Sequence, residues 1–272
     1  MPAVTTDDGV ALSFATAGDG PPHLLFMHGW AGSGRYFDAT IEQLDLTRLE
    51  AVTYDFRGHR ESAAATGGYT LDRIAEDALA VADAAGLGEF VLVGFSMSAK
   101  FCQYVSLLAP ERVVGQILVA GCPAGEVPLP SETIADWLSR EGDPVRMAQV
   151  PEPYMTRPVE PEVLERFGRD AATVGRTALE GTVSAVMTTS FTDRLASITI
   201  PSLVVGGSGD PMFGPDALRA AVVAPLAGAR LALLDCGHEV PIEAPRELAA
   251  LIEAFLAGLG LSTGRQRADE RQ

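Results

Sequence analysis

The strongest constraint on this chain is an alternation. Short apolar runs recur along it, separated by longer amphipathic stretches rich in alanine and leucine. His23 to Met27, Leu49 to Tyr54, Phe90 to Val93, Val113 to Val119, Leu203 to Val205 and Arg230 to Leu234 read as strands, with an earlier one from Ala11 to Ala17. Several are apolar at successive positions, as a strand must be when both its faces are covered. Leu71 to Ala85, Met97 to Leu108, Pro215 to Val223 and Pro241 to Leu256 read as amphipathic helices. Strand then helix, repeated, predicts an α/β fold built on a parallel sheet.

One stretch breaks the pattern. Pro123, Pro128, Pro130, Pro144, Pro151, Pro153, Pro158 and Pro161 crowd the earlier part, 123–161, of residues 123–190. Proline has no amide hydrogen to give a ladder, so no central strand runs there. Helical pieces such as Pro161 to Phe167 and Gly175 to Met187 follow, and Trp137, Tyr154 and Phe167 argue against a disordered loop. The expected organisation is a first core part over residues 1–122, a helical cap insert over 123–190, a second core part over 191–260 and a flexible tail over 261–272.

Composition narrows the partners. With 36 acidic against 20 basic residues the net charge is −16, which repels nucleic acid and anionic membranes. Cys102, Cys122 and Cys236 include no CxxC pair, which argues against a zinc site and a disulfide framework. Met1 to Val10 carries no basic, apolar leader, and no apolar run approaches the ~18 residues of a membrane span. A soluble cytoplasmic protein acting on a small molecule is expected, with a homodimer left open.

The sharpest chemical signal is Gly94-Phe95-Ser96-Met97-Ser98. It follows the Phe90 to Val93 strand and opens the helix at Met97. A serine on so tight a turn has its hydroxyl lifted clear of the sheet, and its flanking positions must be small. A serine helix cap is the plain alternative. Three further segments end strands on the same edge. His28-Gly29-Trp30 follows His23 to Met27, so the Trp30 amide is placed to join that of Met97 in an oxyanion hole. Asp210 follows the Leu203 to Val205 strand, and His238, in Cys236-Gly237-His238-Glu239, follows Arg230 to Leu234. The order Ser96, Asp210, His238 is that of α/β-hydrolases.

With HGW at 28–30, YDFRGHRES at 54–62 and VGFSM at 93–97, the sequence resembles the α/β-hydrolase superfamily, most of all aryl esterases and cofactor-free haloperoxidases. The resemblance implies an α/β-hydrolase fold, a mostly parallel sheet flanked by helices with an inserted helical cap. It implies Ser96 as nucleophile, His238 as base and Asp210 as its orienting acid, with no metal or organic cofactor. His28, Gly29, Phe213 and Cys122 are expected in the substrate pocket. Ser96 excludes the aspartate nucleophile of dehalogenases and epoxide hydrolases.

Two departures stand out. Arg60 replaces a usual glycine and is expected to be solvated. Ser98-Ala99-Lys100 stands where two glycines are common; Ala99 needs room against the sheet, and Lys100 is expected to be exposed or snorkelling. Asp55 is read as ordering its turn, His23 and His59 as structural, and Glu239 as a loop carboxylate. Met147, Tyr154, Met155 and Phe167 either line the pocket from the cap or form the cap's own core. Arg140, Arg146, Arg157, Arg166 and Arg169 are the cap arginines able to meet an anionic substrate. The expected activity is hydrolysis of an ester or lactone. Two other readings stay open: a carbon–carbon bond hydrolase, marked by little ester turnover, and a ligand-binding protein of this fold, marked by stoichiometric binding without product.

Overall fold

The computed structural model describes residues 1–261; of the tail expected at 261–272, all but Leu261 lies outside the described residues. Eight strands form one sheet: β1 (Ala3–Thr5), β2 (Ala11–Gly18), β3 (His23–Met27), β4 (Glu50–Tyr54), β5 (Phe90–Phe95), β6 (Val113–Val119), β7 (Ser202–Gly207) and β8 (Arg230–Leu234). Their order is β1-β2-β4-β3-β5-β6-β7-β8. The first two strands pair antiparallel and β3 to β8 are parallel. The parallel part is the fold that the alternation predicts. The edge strand β1 was not expected, because three residues are too few for a pattern to register.

The helices are α1 (Asp38–Ile41), α2 (Leu71–Ala84), α3 (Met97–Leu108), α4 (Ser131–Leu138), α5 (Pro144–Ala148), α6 (Pro161–Ala171), α7 (Arg176–Thr188), α8 (Pro215–Leu218), α9 (Val240–Glu243) and α10 (Pro245–Gly258). Among the described residues, no helix is long and apolar enough to cross a membrane. Successive residues of the central strands feed opposite faces. Leu25, Met27, Phe90 and Leu92 pack in a core that includes α2 and α3, while Leu24, Phe26, Val91 and Val93 pack in one that includes α1 and α10. Each fully buried side chain of this kind contributes roughly 1.5–3 kcal/mol, so the sheet centre carries much of the stability.

Two expected helices are divided. Pro215 to Val223 is α8 followed by a π-helical turn, Arg219–Val223. Pro241 to Leu256 breaks at Ala244 (φ −138°, ψ 48°). A residue before proline avoids the helical region, so Pro245 ends α9 and, having no amide hydrogen to leave unpaired, opens α10. The same logic explains the helices of the proline-rich insert. Pro144 and Pro161 stand in the first turns of α5 and α6, and the Asp143 carboxylate accepts from the amides of Val145 and Arg146 as an N-cap. Prolines that forbid strands here start helices.

The turn after β4 is held by charge. Arg57, 1% exposed, makes a two-pronged bond to Asp77 on α2, at 2.6 and 2.7 Å, and reaches Asp8 at 2.9 Å. Arg60, expected in solvent, instead bridges Asp55 at 3.1 Å and Asp170 of α6 at 3.5 Å. Its φ of 39° keeps the left-handed backbone that glycine would adopt there freely, so the ion pairs offset local strain. Asp55 also accepts the Gly34 amide at 2.8 Å, consistent with a structural role.

Lys100 corrects the reading more sharply. It is the only lysine in the sequence and is fully buried. Its ammonium donates to the carbonyls of Gly125, Val186 and Thr189, at 2.8, 2.7 and 2.6 Å. It therefore ties α3 to both ends of the insert and places a cation at the carboxyl end of α7, where the helix dipole favours it. Burial pushes it down to about 8. Replacing it with methionine keeps the stem but strands three acceptors. Lys100→Met is expected to lower stability by about 2 kcal/mol, read as a denaturation midpoint, with faster amide exchange at the end of α7.

Candidate active site

The serine turn is built by close contacts. Gly94 is obligatory, since a Cβ there would lie 2.5 Å from both Cys102 Sγ and the Ser98 carbonyl oxygen. Ser96 takes φ 54° and ψ −115°, a conformation an L-residue holds only when its surroundings enforce it. Its amide donates to the Val119 carbonyl at 2.8 Å, and its own carbonyl accepts from Cys122 at 3.0 Å. The two departures beside it are accommodated. The Ser98 hydroxyl donates to the His28 carbonyl, joining α3 to the loop after β3. Ala99 finds room because residue 121 is glycine; a Cβ there would stand 2.4 Å from that of Ala99.

Three side chains from three strand ends converge. Ser96 Oγ is 3.0 Å from His238 Nε2, and His238 Nδ1 is 2.8 Å from Asp210 Oδ2. The other Asp210 oxygen accepts the amides of Met212 and Phe213 at 2.7 and 3.0 Å. An aspartate so bound accepts from Nδ1–H, leaving Nε2 free to accept from the serine hydroxyl. Burial works to raise the Asp210 carboxyl, but its bond with His238 and the two amides hold it below the usual range. Burial likewise pulls the His238 imidazole down, and the bond to Asp210 with the nearby negative charges outweighs it, leaving it above 6.5.

The histidine loop is fastened to the insert. His238 N–H donates to the Tyr154 carbonyl at 2.8 Å. The Glu243 carboxylate accepts the amides of Gly237 and Glu239 at 3.0 Å each, and those of Thr156 and Arg157 at 2.7 and 2.8 Å. One carboxylate thus fixes residues on both sides of the site.

Ser96 and His238 open onto a cavity between the sheet edge and the insert. Gly29, Trp30, Met97, Cys122 and Phe213 line it, and Tyr154 and Phe167 face it from the insert. His28 does not. It is sealed beneath the loop, with Nδ1 bonded to the Gly29 carbonyl at 2.8 Å and Nε2 accepting the Phe56 amide at 3.1 Å. Burial pulls it down to about 4, so it is a neutral, structural residue. His59 is similar, pushed down to about 3 by burial, and His23 pairs with Glu50 on the adjacent strand. Met147 is fully buried in the core and Met155 packs against it; neither lines the cavity.

The cavity also holds residues the sequence did not mark. Trp137 of α4 lies 5.0 Å from Trp30, ring to ring, and Tyr36 stacks on Phe95 at 5.4 Å. Glu239, expected as a loop carboxylate, is 7% exposed, lines the cavity and accepts a hydrogen bond from the Tyr36 hydroxyl. Its place directly after His238 was the one available signal. None of the six insert arginines lines the cavity; Arg140, Arg157, Arg166, Arg169 and Arg176 pair with Asp136, Glu247, Asp38, Glu165 and Glu141, and Arg146 donates to Ser139.

A serine on a strand-to-helix turn, with a histidine and an aspartate from later strand ends of a sheet in this order, defines an α/β-hydrolase fold. The Alpha/beta hydrolase family matches residues 24–251 of the chain, and the protein belongs to that family. It is 31% identical to a non-heme chloroperoxidase from Burkholderia pyrrocinia over 237 residues, 77% of this chain and 82% of that protein. It is 25% identical to 3-oxoadipate enol-lactonase 2 from Acinetobacter baylyi, over 92% of this chain and 95% of the relative. The solved structure of an esterase from Exiguobacterium antarcticum superposes with a TM-score of 0.84 at 19% identity, covering 94% and 98% of the two chains. These likenesses agree with the resemblance drawn from the motifs.

Proposed function

We propose that the protein is a serine hydrolase that cleaves a carboxylic ester or lactone of a small, partly apolar substrate through an acyl-enzyme on Ser96. The observation that carries this reading is the unbroken chain of contacts from Ser96 to His238 to Asp210, at 3.0 and 2.8 Å. As Ser96 Oγ attacks the carbonyl carbon, its proton passes to His238 Nε2. Asp210 holds the imidazole in the required tautomer and stabilises the imidazolium. The amides of Trp30 and Met97 stabilise the oxyanion; that of Met97, at the first position of α3, has no partner within the helix. The imidazolium then protonates the departing alkoxide, and water repeats the sequence on the acyl-enzyme. The insert serves as a cap, supplying Trp137, Tyr154 and Phe167 as an apolar roof. The esterase and enol-lactonase among the similar proteins support the reaction class.

Treatment with a fluorophosphonate probe tests the mechanism. A single adduct is expected on the peptide bearing Ser96, competed by an ester that the enzyme turns over. An unlabelled Ser96 in an enzyme actively hydrolysing esters would refute it. The pH profile gives a second check. The base must be neutral to accept the proton, and its pKa is raised above 6.5. The acid limb of kcat/KM is therefore expected to have its midpoint above pH 6.5 and to fall about tenfold per pH unit below it. A profile flat down to pH 5 would contradict that assignment of the base.

A further inference from the structure

The wall of the cavity is uneven in one respect. It is apolar and aromatic almost throughout, and no arginine or lysine faces it. Yet one carboxylate that the proposed chemistry does not use, that of Glu239, stands on it. Oε2 accepts from the Tyr36 hydroxyl. No hydrogen bond from a described residue reaches the other oxygen, Oε1, and Glu239 is one of the residues lining the cavity. A carboxylate buried to this degree is costly unless paired. Tyr36 satisfies one oxygen only. Phe95 stacks on Tyr36 at 5.4 Å and lies 5.3 Å from His238, while Phe167 approaches Tyr36 edge-on at 5.6 Å. Glu239, Tyr36, Phe95 and Phe167 line the same cavity as Ser96.

We infer that Glu239 is a specificity residue, and that it selects ester substrates bearing a hydrogen-bond donor, a primary ammonium above all, against those bearing a carboxylate. This deepens the serine-hydrolase reading and rests on it. An ammonium completes the vacant half of the carboxylate's hydrogen bonding in a medium of low dielectric, where charge-assisted bonds are strongest. A substrate carboxylate meets Glu239 with no arginine or lysine on the wall to neutralise it, since every insert arginine is engaged elsewhere.

The test uses rigid matched esters that cannot cyclise. Phenyl esters of para-(aminomethyl)-, para-(hydroxymethyl)-, para-ethyl- and para-(carboxymethyl)benzoic acid vary the acyl side. Acetates of the corresponding para-substituted phenols vary the alcohol side. On one side or the other, kcat/KM is expected to run amino, hydroxyl, ethyl, carboxymethyl in falling order, carried mainly by KM. In Glu239→Gln, which retains an acceptor for Tyr36, the amino-to-ethyl ratio is expected to fall about 10- to 100-fold. Tyr36→Phe, which frees the second carboxylate oxygen, is expected to raise the same ratio, and stands as the test if Glu239→Gln does not fold. An amino-to-ethyl ratio near one in the wild type on both sides, or one that neither substitution moves, overturns the inference. The outcome is separable from that of the parent reading: turnover of the ethyl ester that depends on Ser96 sustains the hydrolase mechanism even if the ratio is flat.

Discussion

Replacing Ser96 with alanine is expected to lower kcat on the best ester substrate by about a millionfold, leaving only the residual acceleration from binding and oxyanion stabilisation. The fold is expected to survive. The change removes one hydroxyl from a residue whose position is fixed by backbone bonds to Val119 and Cys122, and alanine meets the same backbone strain as serine at φ 54°. Circular dichroism and the thermal midpoint are therefore expected to match the wild type. The double variant Ser96→Ala/His238→Ala is expected to be scarcely slower than either single one, because nucleophile and base act as a unit. Ester hydrolysis that persists at the wild-type rate in Ser96→Ala would remove the nucleophile from the mechanism and the mechanism with it.

Arg57→Met is expected to be the most damaging single change to stability away from the cavity. Arg57 and Asp77 are 1% and 2% exposed. Taking away the guanidinium leaves a buried carboxylate with Arg73, at 3.3 Å, but without its two-pronged partner, and breaking a buried pair costs about 3–5 kcal/mol. In a chain of this size that corresponds to a fall of roughly 10 °C in thermal midpoint. Burial by itself raises the Asp77 carboxyl, and Arg57 is the largest influence holding it down, so its loss is expected to raise that carboxyl further. The control is Arg57→Met/Asp77→Leu, which removes both charges and is expected to recover most of the loss, since an apolar pair of similar volume often replaces a buried ion pair at little cost. A single variant as stable as wild type in a denaturant titration would show that the pair is dispensable to the turn after β4.

Much of this organisation is legible in the sequence because it is local. His23–Met27 and Val113–Val119 are strands over the very residues that read as apolar runs, since a strand covered on both faces needs apolar side chains at every step. The Ser96 turn is legible because small residues have to flank it. What escaped is of another kind. The partners of Lys100 lie 25, 86 and 89 positions away, and Tyr36 lies 203 positions from Glu239. A lysine in the middle of an amphipathic helix carries no mark telling solvent from three stacked carbonyls; only the path of the insert decides. His28 misled for a similar reason. It stands beside Gly29 and Trp30, which do line the cavity, yet its ring turns inward to bond the Phe56 amide of the neighbouring loop. Residue types that serve either chemistry or packing cannot be assigned by spacing alone.

The bonds joining the His238 loop to residues 154–157 bear on how such an enzyme diverges or is re-engineered. Roofs of this kind invite replacement as cassettes, since they enter and leave between two neighbouring strands. Here the roof also holds the proposed base: the Tyr154 carbonyl accepts from the His238 amide, and Glu243 clamps Thr156 and Arg157 together with Gly237 and Glu239. A graft that discards this short span would carry the imidazole's support away with the old specificity. Only the flanking helices are free to be exchanged, and a library confined to them would vary what enters while sparing the machinery that acts on it.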